Sequence, residues 1–308
     1  MTQFASQAES QKLLTPEFMN RIERLDVMSR KILHGKMQGE RRSKRRGQSV
    51  EFADYRNYVV GDDLRFIDWN LYARLDKLFL RLFLEEEDLS VSFVMDTTAS
   101  MSVGEPNKMH YTKQLVAALS YIALLKYNRV SLFSFVDTIT DSLMGLRGRK
   151  FVPQMIEFID RQFASPSLET PGDLATVCKR VAMTQQQPGV IVLVSDCFDK
   201  GDLANAMRYL GDPRHDVYVI QLLSPQEIDP KKAGMIGDLR FEDVEDGDIA
   251  EVSVTPELID RYKANLEAYC THIRDLCMKR NIAYMIGDTA VPIETMVMKY
   301  LREKGLLG

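Results

Sequence analysis

Apolar and polar positions along this chain follow two rhythms in turn. Thr15 and Pro16 form a helix N-cap and a first-turn proline, after which Phe18, Ile22, Leu25, Met28, Ile32 and Leu33 recur at helical spacing. A helix is expected from 15 to about 35. Two short β-favouring runs follow, 78–84 and 91–95, and the second delivers Asp96 at its carboxyl end. Strand and helix then alternate: a helix over about 108–127, the strand RVSLFSFVD, a short segment ending LMGLRGR, helices near 151–163 and 173–183, the strand GVIVLVSD, a helix over 202–210 and the strand HDVYVIQLL. These strands are uninterrupted apolar runs, as burial on both faces of a parallel sheet requires. The segment GDLRFEDVEDGDIAEVSV breaks the rhythm and reads as a hairpin insertion near 238–254, before a long helix over about 256–279, the strand IAYMIGD and a final helix over about 292–304. The expected fold class is α/β: a doubly wound, mostly parallel sheet flanked by helices over 89–308, behind an N-terminal helical and β extension over 1–88.

Composition narrows the function classes. The chain has 308 residues, 45% apolar and 27% charged, with a formal net charge of −4, so no global positive field gathers nucleic acid or an anionic membrane. Cys178, Cys197, Cys270 and Cys277 are scattered without metal or disulfide spacing, which reads as reduced thiols and favours the cytoplasm. No run approaches the roughly 18 apolar residues of a membrane span, and the first residues lack the pattern of a secretory signal. There is no phosphate-binding loop, no G-x-S-x-G and no H-E-x-x-H, and His34, His110, His215 and His272 are isolated. An enzyme is therefore not expected.

The chemistry concentrates at two strand ends. In an open parallel sheet, ligands bind outside the carboxyl ends of the strands. Asp96, Thr98 and Ser100 alternate in DTTAS as the chain leaves one strand, and Asp196 follows GVIVLV in SDCFD. Such a carboxylate and two hydroxyls can turn three oxygens to one point, which suits Mg²⁺ or Mn²⁺. A partner's Asp or Glu could then complete the ion's shell. The plainer alternative is that Asp96 caps the following segment and DTTAS is turn chemistry.

VMDTTASM resembles the metal-ion-dependent adhesion site of von Willebrand factor A domains, D-x-S-x-S, with Thr98 in place of the first serine. Upstream, RRGQSVEFADYRNYVVGDDLRFIDWNLYAR is similar to the signature of the bacterial domain-of-unknown-function family number 58, which carries such a domain directly behind it; together the two resemblances cover roughly 40–300. They imply a metal at Asp96, Thr98 and Ser100, supported by Asp196. The second-loop threonine departs from the pattern, because TPGDLATV has Gly172 at its place and Thr170 two residues earlier, which makes Thr170 the candidate there. The family resemblance further implies an adaptor working with a MoxR-type AAA+ ATPase in the assembly or maturation of other proteins.

Within the signature, Arg56, Asp62, Asp63, Arg65, Asp68 and Arg74 bring three positive and three negative charges close together around aromatic residues that include Trp69. They could satisfy one another within the extension or stay exposed as a partner site. The run Arg41, Arg42, Lys44, Arg45 and Arg46 could contact phosphates, but it lacks stacking aromatics; an acidic protein surface, or Glu85 to Asp88 of the same chain, fits at least as well. Two alternatives to a metal-dependent binding module remain: a metal-assisted hydrolase using Asp96 and Asp196, and a metal-free scaffold.

Overall fold

The computed structural model describes residues 13–29, 51–84, 89–165, 173–199, 201–242, 244 and 249–308. It divides into two compact units, residues 38–88 and residues 1–37 together with 89–308. The amino-terminal segment belongs to the larger unit. Helix α1 (Pro16–Ile22) is capped by the Thr15 hydroxyl, which accepts from the Phe18 N–H. It ends well short of the expected 35, because the chain turns to pair with its own carboxyl terminus. Val27 bridges Leu307, and the Met28 and Gly308 N–H groups donate to Leu306 and Asp26. Phe18, Ile22, Leu25 and Val27 thereby join the core of the larger unit rather than an extension shared with 38–88.

In the smaller unit, β1 (Glu51–Asn57) pairs antiparallel with β2 (Phe79–Leu84), a partner that the sequence pattern did not reveal. Between them lie a 3₁₀ turn (Leu64–Phe66) and α2 (Trp69–Leu75).

The larger unit is built on a six-stranded sheet of order β10-β7-β6-β3-β4-β5. Its strands are β3 (Ser90–Asp96), β4 (Arg129–Phe135), β5 (Ile139–Arg147), β6 (Gly189–Ser195), β7 (His215–Leu223) and β10 (Ala283–Asp288). All pairings are parallel except β4 with β5. The expected fold class is the one found. The helices are α3 (Lys108–Leu125), α4 (Val152–Asp160), α5 (Leu174–Thr184), α6 (Leu203–Leu210), the short α7 (Pro225–Ile228) and α8 (Pro256–Met278). Alternate strand residues feed the two faces. Val190, Val192 and Val194 of β6 join a core with α3 and α4, while Ile191 and Leu193 join one with α5, α6 and the end of α8.

Two elements differ locally from the sequence pattern, and the expected hairpin is present. The segment ending LMGLRGR is the antiparallel edge strand β5, whose irregular register and mostly exposed side chains hid it among loop-like polar residues. The final helix is broken by one π turn (Met296–Tyr300) between Ile293–Thr295 and Leu301–Glu303. The insertion forms β8 (Gly237–Glu242) paired with β9 (Ile249–Val254), while the turn residues Glu245, Asp246 and Gly247 lie outside the described residues.

At the entrance to β6, a Cβ on Gly189 would meet the Ser90 carbonyl oxygen at 2.0 Å. Backbone cannot yield as a flexible side chain can. Gly189→Ala is expected to destabilise the chain by about 1–3 kcal/mol in urea unfolding, as overpacking does. Among the described residues, no helix is long and apolar enough to cross a membrane.

Candidate functional site

The strand order reverses between β3 and β6. β3 has β4 on one side and β6 on the other, so their connections leave in opposite directions, the topological switch point of the sheet. Asp96 ends β3 and Asp196 directly follows β6, which places both at the carboxyl ends of these paired strands. Asp96 is buried and fully engaged. Its Oδ1 accepts from the Thr98 N–H (2.9 Å) and hydroxyl (2.7 Å), and its Oδ2 accepts from the Ser195 hydroxyl (2.5 Å). Because the single Thr98 proton lies on Asp96, the 2.9 Å contact between Thr98 Oγ1 and Ser100 Oγ takes its proton from Ser100. Thr97 ties the loop to the end of β4, its N–H and hydroxyl both donating to the Phe135 carbonyl.

Burial first, and then the negative charge of Asp196, push the Asp96 carboxyl up to about 7; the Ser195 and Thr98 hydrogen bonds act in the opposite sense. Asp196 is held on both oxygens. Oδ1 accepts from the Phe198 N–H and Oδ2 from Lys108 Nζ at 2.7 Å, while the Asp196 carbonyl accepts from Gln221 of β7. Lys108 also donates to Glu227 Oε1 at 2.6 Å. Glu227 Oε2 in turn closes a capping box by accepting from the Ser224 N–H and hydroxyl. Burial alone would lower the Lys108 ammonium, but Asp196 and Glu227 override it and hold it above its ordinary value.

Three participants escaped the sequence reading: Ser195, Lys108 and Glu227. A signal existed for Lys108, since a lysine in the first helical turn opposes the helix dipole and calls for acidic partners. SPQE after β7 is likewise a capping-box pattern. Cys197 has a left-handed backbone (φ 58°), and burial, with Asp196 beside it, pushes its thiol well up, so it stands as a protonated thiol rather than a nucleophilic thiolate. All four cysteines are free and buried.

The Thr98 Oγ1–Ser100 Oγ separation, a hydrogen bond in this structure, also matches the roughly 2.9 Å between neighbouring ligands of an octahedral ion with bonds of about 2.0–2.1 Å, so the pair would fit Mg²⁺ once the Ser100 proton turned away. Among the described residues, no group of three or more His, Cys, Asp or Glu side chains could hold a metal. An ion at this edge would therefore need hydroxyls and outside ligands in addition to the two aspartates. Thr170 and Gly172 lie outside the described residues, as do Arg41, Arg42, Lys44, Arg45, Arg46 and Glu85 to Asp88.

In the smaller unit the signature charges pair locally. Arg56 meets Asp62 at 2.8 Å, and Arg65 forks onto Asp63 with contacts of 2.5–3.0 Å. Asp68 caps α2 by accepting from the Asn70 and Leu71 N–H groups, and receives the Tyr55 hydroxyl and Arg81 at 3.0 Å each. The Leu71 N–H is the largest influence holding its carboxyl below the usual range. Arg74 is exposed, and Trp69 is 59% exposed with its ring edge-on to Tyr72. Asp68→Ala is expected to speed amide exchange at Asn70 and Leu71, whereas Asp68→Asn keeps the cap and stays near wild type.

A reversal of strand order flanked by two acidic loops is the switch point of a doubly wound α/β sheet, the place where that class generally takes ligands. The chain belongs to the family described as protein of unknown function DUF58, whose model matches residues 54–271. It is similar to the uncharacterized protein Rv1480 of Mycobacterium tuberculosis (strain ATCC 25618 / H37Rv), at 24% identity over 249 residues, 80% of this chain and 77% of that protein. Similar solved structures include the conserved hypothetical protein BatB from Bacteroides thetaiotaomicron, with a TM-score of 0.44 and 12% identity, covering 70% of this chain and 98% of that one. Another is a von Willebrand factor type A structure from Catenulispora acidiphila, with a TM-score of 0.40 and 11% identity, covering 73% and 43% respectively.

Proposed function

We propose that this chain is a cytoplasmic, non-enzymatic protein-binding module that docks partners through a divalent ion at the carboxyl edge of its sheet. Asp96, Thr98 and Ser100 would hold Mg²⁺ or Mn²⁺, with Asp196 and Thr170 as supporting ligands, and an acidic side chain of the partner would complete the shell. The observation that carries this reading is the 2.9 Å spacing of the two hydroxyls next to a carboxylate that burial and Asp196 make costly to ionise. A dication would relieve that cost. The family resemblance adds a partner class, a MoxR-type AAA+ ATPase, for which the chain would act as an adaptor in the assembly or maturation of other proteins.

Calorimetric titration with Mg²⁺ tests the reading: heat of binding is expected from the wild type and none from Asp96→Ala. Recovery of an AAA+ ATPase from native cells only when Mg²⁺ is present tests the partner. The Lys108–Asp196 ion pair favours a second reading, a metal-free scaffold in which the ammonium is the only cation the edge needs. No heat from the wild type at any Mg²⁺ concentration would select it.

A further inference from the structure

Lys108 is a positive charge that the proposed role leaves unused. It opens α3 directly after the N-cap Asn107, where the helix dipole disfavours a cation, and its side chain is completely buried. Its surroundings compensate. Asp196 Oδ2 lies at 2.7 Å, Glu227 Oε1 at 2.6 Å, and the Phe198 ring centroid at 5.7 Å. Each carboxylate is fixed through its other oxygen, Asp196 by the Phe198 N–H and Glu227 by Ser224. An ammonium is a compact point charge with three donors, so it fills the space beside Asp196 that a second cation would require.

We propose that Lys108 is a resident cation that competes with the divalent ion for Asp196. This rests on the metal-binding reading above and adds an order of events to it. Asp96, Thr98 and Ser100 take the ion first and weakly; Asp196 joins only by leaving the ammonium. Affinity in the free protein is set by that exchange rather than by the oxygen ligands alone.

The test is calorimetric titration of the full chain with Mn²⁺ alone at pH 8, with circular dichroism establishing that each variant is folded. Lys108→Gln, whose amide keeps a donor for the two carboxylates, and Lys108→Met are both expected to bind Mn²⁺ at least tenfold more tightly than wild type. Lys126→Gln, just past the far end of the same helix, controls for the loss of one charge and is expected to stay within twofold. Adding Asp96→Ala to Lys108→Gln is expected to abolish binding. Equal or weaker binding by folded Lys108→Gln, with Asp96-dependent binding intact in the wild type, overturns the competition and leaves the metal site standing. No binding in any form overturns both. On the unmutated chain, Mg²⁺ is expected to displace the nitrogen resonance of the Lys108 ammonium, and an unmoved signal at saturation also overturns the competition.

Discussion

Lys108→Met is expected to cost about 3–5 kcal/mol in urea unfolding at pH 8 without divalent ions, the usual loss when one partner of a buried ion pair is removed. The cause is what stays behind. Asp196, at 3% exposure, and Glu227, at 18%, would face each other without a counter-charge, and each is pinned by backbone N–H groups from which it cannot easily turn away. An exposed pair of similar length behaves differently. Arg161 and Asp141 also meet at 2.7 Å, but with 57% and 36% of their side chains in solvent, so Arg161→Met is expected to cost less than about 1 kcal/mol. If the two substitutions cost the same, the Lys108 cluster is hydrated and its burial is not what matters. Saturating Mn²⁺ is expected to return much of the stability lost in Lys108→Met, because a ligand that binds only the folded state stabilises it.

The second large effect is a pH dependence of opposite sense to ordinary acid denaturation. The Asp96 carboxyl is raised from its ordinary value of 3.8 to about 7, so between those limits the unfolded chain has lost a proton that the folded chain still holds. Stability from this group is complete below about pH 4, declines as pH rises, and is gone above about pH 7. At about 1.4 kcal/mol per pH unit the ceiling is roughly 4 kcal/mol. Asp96→Asn is expected to abolish this slope and to exceed the metal-free wild type at pH 8 by about 2–4 kcal/mol, since Asn keeps an acceptor for Thr98 and offers its amide to Ser195. Parallel urea titrations at pH 5 and pH 8 read it directly. An unchanged slope in the variant would assign the pH dependence to another group. A position that stabilises when neutralised is the mark of a residue kept for binding rather than for folding.

The sheet was legible because the central strands are mostly apolar, interrupted only by single polar residues such as Ser92, Ser134 and Gln221. VSFVMD and VIVLVSD both announce where they stop, and that alone put Asp96 and Asp196 on one edge. Elements decided by distant partners were not legible. The first helix ends early because Asp26 and Met28 pair with the last three residues, a contact across the whole chain. Lys108 and Glu227 are 119 residues apart and meet only because α7 follows β7 on the same edge. β5 stayed hidden because an edge strand exposed along most of its length carries no burial pattern to read. The signature charges paired within their unit as arginine–carboxylate geometry allows, yet nothing in their spacing said that Asp68 would cap a helix and gather Tyr55 and Arg81 as well.

The two residues after Asp196 are moored to a distant helix. The Cys197 carbonyl accepts from the Tyr269 hydroxyl, and the Phe198 ring stacks on the Tyr269 ring at 5.8 Å between centroids. Tyr269 sits past the middle of α8, whose first three turns bury only Ile259. Lys263, within those turns, pairs at 2.7 Å with Asp229, which ends α7, so one helix holds the segments that carry both carboxylate partners of Lys108. Tyr269→Phe cuts the mooring line while sparing the ring stack, and faster amide exchange at Phe198 is the slack it would leave.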